Sequence, residues 1–151
     1  MGKVLAICIS EKKGTLKKEI KEGDFIEDFG LKGDAHAGKW HRQVSLLSFE
    51  KIDEFRKKGG DVDFGAFGEN LVVEGLSLES IKIGDIIEFE EVILEVTQLG
   101  KKCHDKCAIF YQVGECIMPK NGVFTKVIKG GNIKVDEKCS VKIKENQFSL
   151  N

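Results

Sequence analysis

Short runs of apolar residues, separated by glycine and by charged residues, recur along the whole chain. Such a pattern is typical of the strands of a β-barrel or a β-sandwich. Two longer runs, 85–98 and 122–135, predict hairpins, and Gly130 with Gly131 can adopt the positive φ that the second hairpin turn requires. Four shorter runs predict single strands at 3–9, 43–48, 70–75 and 139–143.

One helix is predicted in the stretch SFEKIDEFRKKGG, where apolar residues fall at three-residue spacing. Ser48 can cap its N-terminus, and Ile52 and Phe55 share one face. A second, shorter helix is predicted over 107–113, before Gly114. The chain is therefore predicted to be mainly β with one or two helices packed on it, as a single domain over residues 1–151.

Composition and charge narrow the class of protein. The chain has 151 residues, of which 41% are hydrophobic and 32% charged, an ordinary balance for a globular domain. Its net charge of −1 gives no general attraction to nucleic acid or to an anionic membrane. No apolar run approaches the roughly 20 residues that span a bilayer. Because no export signal is apparent, we expect the five cysteines to be reduced thiols in a cytoplasmic protein.

The stretch TQLGKKCHDKCAIF, residues 97–110, places two cysteines in a basic turn directly after a predicted strand. Cys103 follows Lys101 and Lys102 and precedes His104. Neighbouring cations favour the thiolate, which is the form that attacks electrophiles and binds metals. Cys107, which is followed by apolar residues, is equally well explained as a packed side chain.

Three metal sites can be considered for these thiols. Cys103 and Cys107 could form a zinc site with His104, Cys116 or Cys139, but structural zinc usually takes two tight ligand pairs and only one pair is present. A cluster motif would need a third cysteine at position 110, which is a phenylalanine. The third alternative is a single thiolate that binds a soft transition metal carrying its other ligands with it.

Two further segments carry candidate binding residues. In GLKGDAHAGKWHRQVSLLS, residues 30–48, glycines surround Asp34 and His36, and His41 and Arg42 precede a strand. Backbone N–H groups and cations together suit an oxyanion or phosphate, although a solvated surface loop would have the same composition.

In GAFGENLVVEG, residues 65–75, Glu69 and Asn70 stand immediately before a strand. The Asn70 amide can read the edge of a heterocycle, or it can close a turn on its own backbone. Asp34, Glu69 and His104 are the candidates for proton transfer.

Taken in order, the motifs GLKGDAHAG, RQVSLLS, FGENLVVEGL, IGDIIEF, TQLGKKCHDKCAI and GVFTKVIKGGNIKV resemble the MOSC domain family, in particular its small stand-alone prokaryotic branch. The resemblance extends over roughly residues 3–143. It implies a β-barrel fold and a pterin-bound molybdenum centre in a basic cleft. The position that matches the characteristic cysteine of the family is Cys103, which would bind the metal or carry activated sulfur. Cys107 is the weaker alternative.

The resemblance also implies the residues that contact the molybdenum cofactor (Mo-molybdopterin). Those that match family segments or carry charge beside them are His36, His41, Arg42, Ser45, Glu69, Asn70, Lys101 and Lys102. The full sulfurase has a pyridoxal-phosphate domain for which this chain has no room, so pyridoxal phosphate is not expected. Reductase relatives have an additional barrel domain, and we expect a homodimer partner or another protein to replace it.

The function that the resemblance favours is a carrier or biosynthesis factor that handles the cofactor or activated sulfur through a cysteine thiolate. The alternative is a small molybdenum-dependent reductase of N-hydroxylated compounds. A zinc-stabilised interaction domain is a third hypothesis. The expected partners are molybdopterin and either cofactor-biosynthesis enzymes or an electron-donor protein.

Overall fold

Eleven strands and one α-helix form the part of the chain that the computed structural model describes, residues 1–13, 15–100 and 121–142. The helix α1 (Phe49–Lys57) follows β5, and a single 3₁₀ turn covers Leu78–Ser80. The strands are β1 (Gly2–Ile9), β2 (Lys18–Ile20), β3 (Glu22–Ile26), β4 (Gly30–Leu31), β5 (Val44–Ser48), β6 (Leu71–Glu74), β7 (Ile86–Glu88), β8 (Ile93–Leu99), β9 (Val123–Lys129), β10 (Gly131–Lys134) and β11 (Lys138–Lys142).

Seven of these strands close into a barrel in the order β1, β11, β7, β8, β9, β5 and β6. The barrel closes where β1 pairs with β11, at Gly2 opposite Cys139 and Lys3 opposite Lys138. The β5–β6 pair is parallel, because α1 connects the two strands, and the other pairs are antiparallel. β2 extends the sheet beyond β1, and β10, β3 and β4 form a separate small sheet.

Alternating side chains of the strands build two apolar clusters, one on each face of the barrel wall. Leu46, Leu71 and Val73 belong to the cluster that fills the interior. Leu47 and Val72 belong to the second cluster, outside the wall, where they pack with the buried residues of α1. The helix therefore covers the outer face of β5 and β6.

The helix confirms the prediction from the sequence. The Ser48 hydroxyl accepts a hydrogen bond from the Lys51 amide at 3.2 Å, and Ile52 and Phe55 are buried. The second predicted helix, 107–113, lies outside the described residues. Within the described ranges, no helix has the length and apolar character needed to cross a membrane.

The predicted hairpin over 122–135 is wrong, although both of its strands exist. β9 pairs with β5 and β8 in the barrel, whereas β10 pairs with β3 in the small sheet. Gly130 is needed for close approach, since a Cβ there would lie 2.6 Å from the Phe25 carbonyl oxygen. The chain changes sheets at this glycine instead of turning back on itself.

Candidate functional site

The glycine-rich segment between β4 and β5 is held by hydrogen bonds to three other parts of the chain. The Ala35 amide donates to the Ser10 carbonyl at 2.8 Å, just beyond β1. The Gly38 amide donates to Phe29 O at 2.7 Å, and the Gln43 amide donates to Thr125 O of β9 at 3.0 Å. Gly33 has φ +88°, which few other residues adopt without strain. The path of the segment is therefore fixed by these hydrogen bonds.

A buried ion pair lies under this segment. The Lys17 ammonium is 2.7 Å from Asp34 Oδ1, and neither side chain has exposed surface. Burial alone would raise the pKa of Asp34, but the charge and hydrogen bond of Lys17, with amide hydrogen bonds from Ser10 and His36, lower it below its ordinary value. Asp34 is thus held as a carboxylate. This state suits a group that anchors its neighbours better than a group that transfers protons.

His36 packs between this ion pair and an indole ring. Its Nδ1 lies 3.1 Å from Lys17 Nζ, and its backbone amide donates to Asp34 Oδ2 at 3.1 Å. The Trp40 ring is parallel to the imidazole within 8°, with 6.5 Å between centroids, and Trp40 Nε1 donates to His36 O at 2.7 Å. The orientation of the imidazole is therefore set on two sides.

Two cations lie over the same indole. The Arg42 guanidinium carbon is 4.6 Å from the Trp40 ring centroid and 5.7 Å from that of Phe124, and Lys13 Nζ is 4.8 Å from the Trp40 centroid. Arg42 Nε is buried and has no hydrogen-bond partner in the described part of the chain. We refer to Lys13, His36, Trp40 and Arg42 as the Trp40 cluster.

His41 connects this cluster to the end of β8. A ring nitrogen of His41, Nε2, lies 2.7 Å from Gln98 Oε1, and the Thr97 hydroxyl donates to the His41 carbonyl. The side-chain Nε2 of Gln98 in turn donates to Gly100 O at 2.7 Å. The segment that carries Cys103 follows Gly100 in the sequence.

Ser45, Asn70 and Glu69 form a second group inside the barrel wall. Asn70 Oδ1 accepts from the Ser45 amide at 3.0 Å, and Asn70 Nδ2 donates to the Cys8 carbonyl at 3.1 Å. The Asn70 side chain thereby ties β1 and β5 to the start of β6 and has no exposed surface.

The Glu69 carboxylate holds the loop before β6. Its oxygens accept from the amides of Gly65 at 2.8 Å and Phe67 at 3.1 Å. Burial raises the pKa of Glu69 to about 7, against the opposing effect of these amide hydrogen bonds. As with Asn70, the polar atoms of Glu69 are engaged by backbone groups.

Comparison with known families identifies the fold. Residues 33–140 match the model of the MOSC domain family. The chain belongs to the MOSC domain family. YuaD of Bacillus subtilis superposes with a TM-score of 0.78 at 20% identity, over 96% of this chain and 98% of that protein. YiiM of Geobacillus stearothermophilus superposes with a TM-score of 0.69 at 19% identity, over 94% of this chain and 75% of that protein. At these identities, the two superpositions show the fold alone.

Two other relatives have a higher sequence identity to this chain than these two structures have. A protein named reductase from Gibberella moniliformis is 31% identical over 110 residues, which is 61% of this chain and 20% of that protein. YflK of Bacillus subtilis, described as uncharacterized, is 33% identical over 133 residues, 80% of this chain and 59% of that protein. The chain spans about a fifth and about three fifths of the length of these relatives. The MOSC match and the reductase name fit a function related to the molybdenum cofactor.

The predicted site residues of this MOSC domain thus divide into three sets. Asp34, His36, His41 and Arg42 lie in or beside the Trp40 cluster. Ser45, Glu69 and Asn70 lie in the wall with their side chains on other protein groups, so cofactor contact by them stays a prediction without a supporting described contact. Cys103, His104, Cys107, Lys101 and Lys102 lie outside the described residues.

Some residues of the candidate site were not predicted. Trp40 is the sole tryptophan, placed in a basic glycine-rich segment, and that was a usable signal. Lys17, within TLKKEI, has no sequence feature that distinguishes it from a surface lysine. Cys139 was one of the possible zinc ligands. It lies in the interior cluster, where burial raises the pKa of its thiol to about 12. The described residues contain no group of three side chains suited to hold a metal.

Proposed function

We propose that this MOSC domain binds the molybdenum cofactor, with the Trp40 cluster receiving the anionic and planar part of the pterin and Cys103 providing the thiolate. The observation that carries the proposal is Arg42. Its guanidinium lies between two aromatic rings with a buried Nε that has no partner among the described residues. A buried donor without a partner is costly unless a ligand completes its hydrogen bonds.

The donor set of the cluster suits such a ligand. Arg42 and Lys13 supply positive charge, and guanidinium groups match the oxygens of a phosphate in a bidentate geometry. Trp40 supplies a flat ring beside them. When bound, the cofactor would contribute the redox and sulfur chemistry of its metal, while these residues bind and orient its pterin.

The path of the chain supports Cys103 as the thiolate. Cys103 follows Gly100 by three residues, and three residues of extended chain span at most about 11 Å. Gly100 is tied through Gln98 to His41, which is next to Arg42 in the sequence. This short separation in the sequence is the support for proposing Cys103 as the thiolate that acts with the Trp40 cluster.

We favour a carrier or biosynthesis role, in which the domain holds the cofactor or activated sulfur and passes it to cofactor-biosynthesis enzymes. The support comes from Asp34 and Glu69, the two candidates for proton transfer that lie within the described residues. Asp34 is paired with buried Lys17, and Glu69 accepts hydrogen bonds from two loop amides. Both carboxylates serve the architecture, and neither is presented to a ligand as a proton donor.

A second candidate is a molybdenum-dependent reductase of N-hydroxylated compounds. Its support is the relative from Gibberella moniliformis that bears the name reductase. In this case an electron-donor protein replaces the biosynthesis enzymes as partner. The Trp40 cluster and Cys103 have the same roles in both candidates.

The first experiment measures cofactor retention. The protein is purified from a molybdate-fed host, and molybdenum is measured by elemental analysis and pterin by its fluorescence after acid release. We expect about one of each per chain, and about a tenfold or greater loss in Arg42→Lys and in Cys103→Ser, because each removes a contact to a charged ligand. Arg56→Lys is the matched control, because Arg56, in the last turn of α1, also lies over an aromatic ring, 4.7 Å from the centroid of Phe64. Zinc without molybdenum or pterin would contradict the proposal.

The second experiment separates the two candidates. The loaded protein is mixed with a cofactor-free molybdenum enzyme and, separately, with an N-hydroxylated base and a chemical electron donor. Activation of the acceptor enzyme without turnover of the base supports the carrier. Turnover that is lost in Cys103→Ser supports the reductase.

A further inference from the structure

A β-bulge interrupts the pairing of β8 with β9 near the end of β8. Val96 lies opposite Thr125, and the next paired residue, Gln98, lies opposite Phe124. Thr97 is therefore the extra residue of β8 at this point. A bulge disrupts the hydrogen-bond ladder locally and redirects the side chain of the extra residue, and bulges are frequent beside functional sites.

The Thr97 hydroxyl contacts the two neighbours of the Arg42 guanidinium. It contacts the His41 carbonyl oxygen and lies 3.1 Å from the Phe124 carbonyl oxygen. His41 precedes Arg42 in the chain, and the Phe124 ring centroid lies 5.7 Å from the Arg42 guanidinium carbon. A hydroxyl has one proton, so Thr97 donates to one of these carbonyls at a time. Either hydrogen bond restrains one neighbour of Arg42.

The residue after Arg42 is held independently of this bulge. Gln43 has no exposed surface, and its backbone amide donates to Thr125 O at 3.0 Å. Its side-chain Oε1 accepts the Val127 amide at 2.9 Å. The chain on the C-terminal side of Arg42 is therefore attached to β9, whereas the residue on its N-terminal side is held by the bulge in β8.

We infer that Thr97 is a positioning residue that holds Arg42 beside the Trp40 and Phe124 rings before a ligand binds. Ordering a long side chain at the moment of binding lowers the affinity, and a side chain that is already held avoids this loss. The buried Nε of Arg42, which has no partner in the described part of the chain, is thereby kept ready for an oxyanion. The inference rests on the proposed function, in which Arg42 binds the anionic part of the cofactor.

The first test observes the arginine Nε–H groups by proton–nitrogen NMR in protein purified without cofactor. The chain has only two arginines, Arg42 and Arg56, and each signal is assigned by its loss in the corresponding lysine variant. We expect the Arg42 signal upfield of its ordinary position, because the faces of aromatic rings shield nearby protons. Thr97→Val, which lacks the hydroxyl, should move the signal toward the ordinary position, and Thr97→Ser, which keeps the hydroxyl, should not.

Two controls separate positioning from a general loss of structure. The Arg56 signal should be the same in every Thr97 variant, because Arg56 lies on α1. Thr125→Val removes a hydroxyl that donates to the Val44 carbonyl at 3.0 Å, also between strands of the barrel. This variant should lower the urea midpoint but leave the Arg42 signal in place.

Three NMR results would overturn the inference. One is an Arg42 signal that is the same in Thr97→Val and in the wild type. Another is a shift in Thr125→Val as large as that in Thr97→Val. The third is an unshielded Arg42 signal in the wild type, which needs no variant to be observed.

The second test measures the binding of inorganic phosphate by calorimetry. We expect Thr97→Val to bind phosphate about two- to tenfold more weakly than the wild type, because its Arg42 must be ordered on binding. In an Arg42→Lys background, Thr97→Val should cause no further loss, since Thr97 acts through Arg42. Equal losses in the two backgrounds, or undiminished binding by Thr97→Val, would overturn the inference, as would a wild type that does not bind phosphate.

This inference and the proposed function can fail separately. A shielded Arg42 and a phosphate affinity that depends on Thr97, in a protein that retains no molybdenum or pterin, would leave the inference standing and refute the proposed function. Full retention of the cofactor by Thr97→Val, with an unchanged Arg42 signal, would refute the inference and leave the proposed function standing.

Discussion

The buried pair of Lys17 and Asp34 makes the site sensitive to single charges. Removing one partner of a buried ion pair leaves the other charge without compensation, which costs about 3–5 kcal/mol. We therefore expect Asp34→Asn to lower the free energy of unfolding by about 3 kcal/mol or more in urea titrations.

A matched control for this variant is Asp53→Asn. Asp53 forms a 3.0 Å ion pair with Lys57 on the exposed side of α1. Exposed pairs contribute about 0–1 kcal/mol, so Asp53→Asn should scarcely shift the urea midpoint. Similar losses in the two variants would show that the pair under the Trp40 cluster is solvated in solution.

Glu69 predicts a pH dependence of stability. Its folded pKa of about 7 exceeds the ordinary value of 4.5, so the folded state holds this proton more tightly than the unfolded state does. The contribution of Glu69 is fully present below pH 4.5 and is lost as the pH rises through about 7. At about 1.4 kcal/mol for each pKa unit, the loss is on the order of 3 kcal/mol.

The variant Glu69→Gln isolates this effect because it has no carboxyl group to titrate. The stability of the wild type relative to Glu69→Gln should fall by about 3 kcal/mol between pH 4.5 and pH 8. Urea unfolding at several pH values measures the difference. A difference that does not change with pH would mean that the Glu69 carboxyl keeps an ordinary pKa in the folded protein.

At the level of residues, charge and glycine content could predict part of the site. Asp34, His36 and Arg42 were identified because glycines and cations occur together over 30–48, and they do lie at one place. Lys17 could not be identified, because its burial depends on the path of residues far away in the sequence. Asn70 had two readings, and the described contacts are those of a buried structural amide.

At the level of elements, β-branched runs identified the barrel strands because those side chains face a packed interior on at least one side. The sequence predictions missed β2, β3 and β4. β2 and β4 are only three and two residues long, and alternate residues of β3 are exposed. The hairpin error has a similar cause. Two runs separated by glycines look alike whether the strands pair with each other or with different sheets.

Gly65, in the loop before β6, packs directly against the backbone of Lys17, which precedes β2. It has φ +93°, and a Cβ there would lie 2.2 Å from the Lys17 carbonyl oxygen. Its own carbonyl accepts the Lys17 amide at 2.9 Å. Gly65→Ala should therefore cost about 3 kcal/mol or more, since it adds a backbone clash to the strain of positive φ.

Gly59→Ala separates these two contributions. Gly59 has φ +100°, but a Cβ there would meet no atom within 4 Å. Its substitution should cost only about 1 kcal/mol, from strain alone. Both values can be obtained from urea unfolding at pH 7. Equal costs would show that the contact between Gly65 and Lys17 is loose enough to absorb a methyl group.

For the whole molecule, the candidate site depends on the closed barrel. Three of the four residues of the Trp40 cluster lie on the segment between β4 and β5, and hydrogen bonds join this segment to β8, to β9 and to Ser10, the residue beyond β1. Gln43, at the end of the segment, is fully buried, and its Oε1 accepts the Val127 amide at 2.9 Å. The segment cannot leave the barrel without breaking several buried contacts.

This dependence predicts a single unfolding transition. Trp40 is the sole tryptophan, so its fluorescence reports the cluster, while far-UV circular dichroism reports the strands and α1. Because the segment and the barrel share buried hydrogen bonds, the two signals should change at the same urea concentration. In Arg42→Lys, which removes the guanidinium from the indole but leaves Gln43 in place, the transitions should still coincide. A fluorescence change at lower urea than the circular dichroism change would mean that the site opens before the barrel does, and binding would then have to order the segment.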